Sequence, residues 1–183
     1  MSLHCAFAAV LHESAQTCNP MYRNPANAEI FLSASGDNSV KVWDARKPLP
    51  TMSIPAHQYE ILTADWCKYN DCLIATGSVD KSIKVWDLRR PGQELLSLFG
   101  HGYAVRKVIW SPHAETVLAS CSYDMTVRLW DISLPEDSLL RTWDHHSEFA
   151  VGLDFSTLAE GMLASTGWDE WTFLWNQKAE PGV

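Results

Sequence analysis

The chain has 183 residues, of which 46% are hydrophobic and 20% are charged, and this predicts one soluble domain with a sizeable core. Its net charge of -8 disfavours broad binding to nucleic acid or to anionic membranes. No apolar run approaches the roughly 18 residues of a membrane span, and the apolar N-terminus has neither a basic region nor a cleavage site, so neither membrane insertion nor a signal peptide is expected.

The first elements in chain order are an apolar run, "CAFAAVL" (5–11), and a segment (12–23) that contains Pro20. Proline cannot donate to a strand ladder, so central strands rarely accept it. We therefore predict that residues 1–23 form an irregular N-terminal segment, within which 5–11 is a candidate strand.

Short β-prone runs separated by turns occupy the rest of the chain. Two complete units read as "ILTADW" (61–66), "LIATGS" (73–78), "SIKVWD" (82–87) and "LLSLF" (95–99), then "VRKVIW" (105–110), "VLASCS" (117–122), "TVRLWD" (126–131) and "LLRTW" (139–143). The third run of each unit alternates apolar and polar residues, as a strand with one strongly buried face does. The last unit stops after "TFLWN" (172–176), and 178–183 form a tail.

A fixed constellation recurs in these units: a Ser or Thr stands four residues before an Asp, which stands six residues before a Trp, and the Trp residues recur at intervals of 43, 44 and 45. In three units a His lies 23 residues before the Asp. In the last of these, the neighbouring His145 leaves the choice between His145 and His146 open. The members are Ser33, Asp37 and Trp43; His57, Thr76, Asp80 and Trp86; His101, Ser120, Asp124 and Trp130; and His146, Ser165, Asp169 and Trp175.

A Ser-His-Asp set invites a catalytic interpretation, but a catalytic triad is expected once and beside an oxyanion hole. Here the set recurs and includes a Trp, whose indole N–H needs an acceptor when it is buried. The hydroxyl can accept that proton, and the imidazole can link hydroxyl and carboxylate. We therefore interpret the four sets as structural tetrads and predict no catalytic residues.

The five cysteines are odd in number and include no CxxC pair. Their spacing is wrong for the common zinc sites, so we predict free thiols in a reducing compartment, no metal site and no cofactor. The positions are Cys5, Cys18, Cys67, Cys72 and Cys121.

Four strands in 40–45 residues, ending in Trp-Asp, are typical of WD-repeat propeller blades. The predicted fold is all-β, a partial WD-repeat β-propeller of about four blades (24–56, 57–100, 101–144 and 145–177) with an irregular first blade. Since the last blade lacks a fourth strand, 5–11 is the predicted closing strand. Three explanations for the low blade number compete: the C-terminal part of a longer propeller, a closed four-blade ring, or two copies that complete one ring. We favour the first.

Several stretches resemble the peroxin-7 family, the cytosolic receptors for type 2 peroxisomal targeting signals, and "EGMLASTGWDEWTFLW" (160–175) resembles the plant members. The others are "PAHQYEILTADWCKYND" (55–71), "GHGYAVRKVIWSPH" (100–113), "LASCSYDMTVRLWD" (118–131) and "HHSEFAVGLDFS" (145–156). The resemblance covers about 24–177, roughly the C-terminal half of that family's propeller. It implies a non-catalytic carrier that cycles between the cytoplasm and the peroxisomal matrix. The implied partners are proteins with an N-terminal type 2 signal, an import co-receptor and docking proteins.

In that family the signal is a nonapeptide that begins with a basic residue, ends in His-Leu or similar, and lies as an amphipathic helix across the propeller's top face. The resemblance implies that positions before each tetrad Asp and after each blade His face that side. The candidate peptide-binding residues are Tyr59, Glu60, Val79, Tyr103, Tyr123, Glu148 and Trp168, with Gly36 and Phe149 also near this face. Aromatic and acidic groups suit an amphipathic helix with a basic residue.

Other functions stay open. Residues 42–46 and 74–89 resemble the WDxR box through which some WD-repeat proteins dock on a cullin-RING ubiquitin ligase adaptor, which would make Arg46 and Arg89 contact residues. A solvated arginine is the simpler interpretation. A truncated, non-functional product would aggregate through exposed strand edges. Hydrolysis through a Ser-His-Asp set would show as reaction with an active-serine probe, which we do not expect.

Overall fold

Four small antiparallel β-sheets follow one another along the chain in the computed structural model, which describes residues 18–177. All regular secondary structure in this range is strand, which confirms the predicted all-β fold. None of the described residues belongs to a helix that could cross a bilayer. The candidate closing strand (5–11) and the tail (178–183) lie outside the described residues.

Each sheet is one blade, and strands that are neighbours in sequence are neighbours in the sheet. Blade 1 consists of β1 (Cys18–Arg23), β2 (Ile30–Ser35), β3 (Ser39–Asp44) and β4 (Met52–Pro55). Blade 2 consists of β5 (Ile61–Trp66), β6 (Leu73–Ser78), β7 (Ile83–Asp87) and β8 (Glu94–Leu98). Blade 3 consists of β9 (Val105–Trp110), β10 (Val117–Ser122), β11 (Val127–Asp131) and β12 (Leu139–Trp143). Blade 4 consists of β13 (Ala150–Phe155), β14 (Met162–Gly167) and β15 (Thr172–Asn176).

The first blade begins earlier than the sequence predicts. Strand β1 covers Cys18–Arg23 and pairs with β2, whereas we expected 1–23 to be irregular and the blade to start at 24. The register shifts between Cys18 and Met21, so Pro20 stands where the ladder is already interrupted. Since β1 is also an edge strand of its sheet, the missing proline N–H costs no ladder bond.

The hairpins between the second and third strands share one turn geometry. The residue after each tetrad Asp has a positive φ: Asn38 (67°), Lys81 (72°), Met125 (67°) and Glu170 (65°). The Asp side chain caps this turn from within, as where Ser82 N donates to Asp80 Oδ1 at 2.9 Å. The repeated Asp therefore shapes the turn that carries the preceding residue to one end of the blade, which we call the top face.

The core lies between blades rather than inside one of them. Alternate residues of each strand face opposite blades, so every interface combines one face of a blade with the opposite face of the next. At the interface of blades 1 and 2, for example, Leu32, Ala34 and Val42 pack against Ile74 and Trp86. Burial of each large apolar side chain contributes about 1.5–3 kcal/mol.

The four blades form an open series. Blade 1 packs on blade 2, blade 2 on blade 3, and blade 3 on blade 4. None of the extensive strand contacts within 18–177 joins blade 4 to blade 1. The described residues therefore form a partial propeller, and the alternative of a closed four-blade ring does not describe them.

Candidate functional site

Three of the four predicted tetrads form complete hydrogen-bonded chains. In blade 3, Trp130 Nε1 donates to Ser120 Oγ at 2.8 Å, Ser120 Oγ lies 2.7 Å from His101 Nε2, and His101 Nδ1 lies 2.8 Å from Asp124 Oδ2. In blade 2 the same three contacts are Trp86 Nε1 to Thr76 Oγ1 at 3.1 Å, Thr76 Oγ1 to His57 Nε2 at 2.7 Å, and His57 Nδ1 to Asp80 Oδ2 at 2.8 Å. In blade 4 they are Trp175 Nε1 to Ser165 Oγ at 2.8 Å, Ser165 Oγ to His146 Nε2 at 2.9 Å, and His146 Nδ1 to Asp169 Oδ2 at 2.9 Å.

The structure decides between the two histidines of blade 4. His146 is buried in the tetrad, whereas His145 is exposed and packs edge-on against the Trp175 ring at 5.0 Å between centroids. The sequence left this choice open, and the buried histidine is the one that lies 23 residues before Asp169.

In blade 3 the electrostatics favour a neutral imidazole, and in blades 2 and 3 they favour an ionised carboxylate. Burial lowers the pKa of His101, although Asp124 opposes this shift. Burial raises the pKa of Asp80, but hydrogen bonds from His57 and Ser82 outweigh it and bring the pKa to about 2. Each chain is satisfied when Nδ1–H of the imidazole donates to the carboxylate and the hydroxyl donates to Nε2.

This geometry suits a structural role. The Ser120 and Thr76 side chains are fully buried, and each hydroxyl oxygen already accepts the indole proton. A nucleophilic serine needs contact with a substrate and a free line of attack. The tetrads instead link the connection that enters each blade to its second and third strands.

Blade 1 has only part of the constellation. Trp43 Nε1 donates to Ser33 Oγ at 2.9 Å, as in the other blades. Asp37 is exposed, accepts from Ser39 Oγ at 2.6 Å and pairs with Lys41 at 3.6 Å. No histidine among residues 18–177 contacts Asp37, so the predicted irregularity of this blade lies in its tetrad.

The top face assembles the predicted peptide-binding residues from two segments of each blade. The backbone N–H before the tetrad Asp donates to the connection that enters the same blade: Val79 to Glu60 O at 3.0 Å, Tyr123 to Ala104 O at 3.1 Å, and Trp168 to Phe149 O at 3.0 Å. These bonds place the two sets of predicted residues side by side. Tyr59, Tyr103, Val79, Glu148 and Trp168 are exposed, whereas Glu60 and Tyr123 are half-buried.

Three of these rings meet across the boundary of blades 3 and 4. The Phe149 ring centroid lies 4.9 Å from that of Tyr123 and 5.2 Å from that of Trp168. We call Tyr123, Phe149 and Trp168 the aromatic cluster. Trp168 remains 64% exposed, so the cluster presents a rigid apolar surface on the top face. The Phe149 ring is half-buried and lies between the other two rings.

Lys81 places a cation on the top face that the sequence pattern does not predict. Lys81 Nζ lies 5.7 Å from the centre of the exposed Tyr103 ring. Lys81 sits in the positive-φ turn of blade 2, whereas Tyr103 enters blade 3, so only tertiary structure brings them together. Glu148, which directly precedes Phe149 of the aromatic cluster, is exposed.

Arg46 and Arg89 lie at the opposite end of the blades, on the bottom face. Each forms a two-pronged ion pair with the Asp two residues before it, through Nε and Nη2 at 2.7–2.8 Å. Hydrogen bonds from the arginines lower the pKa of Asp44 and of Asp87 to about 2. Both guanidinium groups are exposed, and each is paired with an Asp of the same chain.

The described residues contain no cluster of three or more His, Cys, Asp or Glu that could hold a metal ion. Cys67, Cys72 and Cys121 are free thiols. Burial raises the pKa of Cys121 to about 12, so this thiol is inert as a nucleophile.

Comparison with known proteins agrees with the architecture. The family described as "WD domain, G-beta repeat" matches residues 22–44, 48–87 and 92–131, more than half of the chain. A relative from Arabidopsis thaliana, "Peroxisome biogenesis protein 7", is 59% identical over 39 residues. That segment is 21% of this chain and 12% of the relative, so the likeness spans a small part of the relative's length.

Proposed function

The chain belongs to the WD-repeat family, and we propose that it acts as a non-catalytic receptor in peroxisomal protein import. The observation that carries this proposal is the 59% identity over 39 residues to the Arabidopsis peroxisome biogenesis protein. The tetrads and the interblade core support a scaffold role, because the hydroxyls that resemble a catalytic set are buried and bonded. Recognition then falls to exposed groups on the faces of the blades.

The proposed ligand is the N-terminal type 2 targeting peptide of a peroxisomal matrix protein. An amphipathic helix needs an apolar surface for its buried stripe, and the aromatic cluster offers one at the top face. Exposed Tyr103 and Val79 continue this surface toward blade 2. Trp and Tyr give large contact areas at low entropic cost, which makes Trp168 the expected hot spot.

Charge would orient the peptide. Glu148 is exposed next to the aromatic cluster and is the proposed partner of the basic residue that begins the signal. Lys81 lies over Tyr103 at the other side of this surface and disfavours a second basic group there. The charges thus favour one direction of the peptide helix over the other.

In this role the chain would meet its cargo in the cytoplasm and travel with it to the peroxisome. The further proposed partners are an import co-receptor that closes over the bound peptide and the docking proteins of the peroxisome. Neither nucleic acid nor membrane insertion has a place in the proposal.

The test is a titration of the purified chain against a fluorescent type 2 signal peptide, with fluorescence anisotropy as the readout. The control peptide has its leading basic residue and its histidine replaced. Saturable binding of the first peptide alone is the expected result. No saturable binding, or equal binding of both peptides, would contradict the proposed function of this chain.

Two variant pairs locate the binding surface. Trp168→Ala should raise Kd by about tenfold or more, since it removes the proposed hot spot, whereas Tyr69→Ala on the bottom face should leave Kd unchanged. Glu148→Lys should also weaken binding, whereas Glu136→Lys on the bottom face should not. Equal effects within either pair would show that the peptide does not use the top face.

A further inference from the structure

The boundary of blades 2 and 3 carries an exposed cation on the top face. Lys81 lies in the turn of blade 2, and its Nζ is 5.7 Å from the centre of the Tyr103 ring, which enters blade 3. Within residues 18–177 no carboxylate forms an ion pair with Lys81. Blades 2 and 3 each have a described neighbour on both sides, so this boundary lies inside the series of blades.

The two carboxylates that border this pair serve the tetrads instead. Asp80 directly precedes Lys81, and its Oδ2 lies 2.8 Å from His57 Nδ1. Asp124 accepts from Gly102 N at 2.9 Å, one residue before the ring of the pair. Because these carboxylates are bound within their own blades, the ammonium group of Lys81 is available to a ligand.

The turn that holds Lys81 does not require a cation. The equivalent turn positions are Asn38, Met125 and Glu170, and all of them share its positive φ. Asn38 uses its side chain within the chain, where Nδ2 donates to Gln58 O at 3.1 Å. Among the four described turns the basic side chain is a property of blade 2 alone, so turn geometry leaves its presence unexplained.

Tyr103 supplies a second donor beside this cation. Its backbone is fixed, since Ser122 Oγ donates to Tyr103 O at 3.1 Å, while its side chain is 63% exposed. No residue among 18–177 forms a hydrogen bond with the phenol oxygen. An ammonium group and a phenol O–H both donate, and a carboxylate can accept from both. The pair therefore has the chemistry of a site for an acidic side chain.

We propose that Lys81 and Tyr103 form a specificity site that binds an acidic side chain in the second half of the targeting peptide. This proposal rests on the proposed function, in which Glu148 of blade 4 binds the basic residue that begins the signal. A helix that runs from Glu148 across blade 3 brings its C-terminal end to the pair. The negative end of the helix dipole then faces Lys81, which adds to the attraction. Cargo with Glu or Asp at that point binds more tightly than cargo with Lys or Arg.

The test is an anisotropy titration of the purified chain against a series of type 2 signal peptides. In each peptide one residue between the leading basic residue and the His-Leu end is Glu, and in a matched series it is Lys. At one position in the second half of the peptide, the Glu peptide should have a Kd about fivefold lower than the Lys peptide. This difference should shrink in high salt, because the site is exposed to solvent.

Substitutions of Lys81 assign the preference to this site. Lys81→Glu should reverse the order of the two Kd values at that position, and Lys81→Met should abolish the difference. Both side chains occur in equivalent turns of this chain, at Glu170 and Met125, so both variants should fold. Lys47→Glu changes the net charge by the same amount at an exposed residue of the bottom face, and it should leave the preference unchanged.

The outcomes distinguish this proposal from the proposed function. Saturable binding without a Glu preference in the second half of the peptide, or with a preference that survives Lys81→Glu, would overturn the specificity site and leave the proposed function intact. An equal effect of Lys47→Glu would also overturn the site, since net charge would then explain the preference. If no peptide of the series binds saturably, both proposals are wrong.

Discussion

The contribution of a tetrad to the free energy of unfolding can be predicted in blade 3 and compared with a matched control in blade 1. Ser120→Ala removes a fully buried hydroxyl that serves two partners, Trp130 Nε1 and His101 Nε2. Each buried group left without a partner costs about 1–3 kcal/mol, so the loss of both bonds should lower the free energy of unfolding by about 2–6 kcal/mol. His101 cannot compensate by changing tautomer, because its Nδ1 proton is bound to Asp124.

Ser33→Ala is the matched substitution in blade 1. Ser33 is also buried, but of the tetrad partners it serves only Trp43 Nε1, so the loss should be about 1–3 kcal/mol. The assay is urea denaturation of both variants and the wild type, followed by circular dichroism and tryptophan fluorescence. Equal losses at unchanged m-values, or a larger loss for Ser33→Ala, would refute the argument that the histidine bond stabilises the blade.

Two further predictions concern acid stability and interblade packing. Burial lowers the pKa of His101 below its ordinary 6.5, and hydrogen bonds that outweigh burial lower that of Asp80 to about 2 from 3.8. Below pH 6.5 the unfolded chain therefore binds more protons at His101 than the folded chain does, and between pH 3.8 and about 2 it binds more at Asp80. The urea midpoint should therefore fall as the pH falls through these two windows. A midpoint that rises from about pH 7 to about pH 5 would contradict this. Gly77→Ala should cost about 1–3 kcal/mol, since a Cβ there lies 2.7 Å from Val105 Cγ1, whereas Gly92→Ala meets nothing within 4 Å and should be neutral in the same denaturation assay.

The sequence predicted the repeating part of this fold because its signal is local. A Trp that must bury its indole N–H, a hydroxyl ten residues earlier and an Asp between them describe one hairpin, and each hairpin can be recognised without its neighbours. The prediction that residues 1–23 are irregular was wrong because it rested on Pro20. Proline disrupts a regular strand ladder, but the ladder between β1 and β2 is already interrupted between Cys18 and Met21.

For the candidate site, the sequence predicted individual residues of the top face but not the contacts between them. Tyr123 and Trp168 were placed on the top face, but their contact with Phe149 was not, since it crosses from blade 3 to blade 4. The Lys81–Tyr103 pair was missed for the same reason. Sequence spacing within a blade carries no information about which side chains meet across an interface.

By itself the sequence predicted the strands after residue 23, their order and the spacing of the tetrads, because hydrophobic alternation and hydrogen-bonding needs act within one blade. Only the tertiary structure decided which blade faces are covered, since burial at each interface depends on the next blade. Leu174 and Leu129 illustrate the difference: they share one position in the repeat, and one is exposed while the other is buried. The surfaces that stay exposed on the top face and on the outer blades arise from this packing between blades.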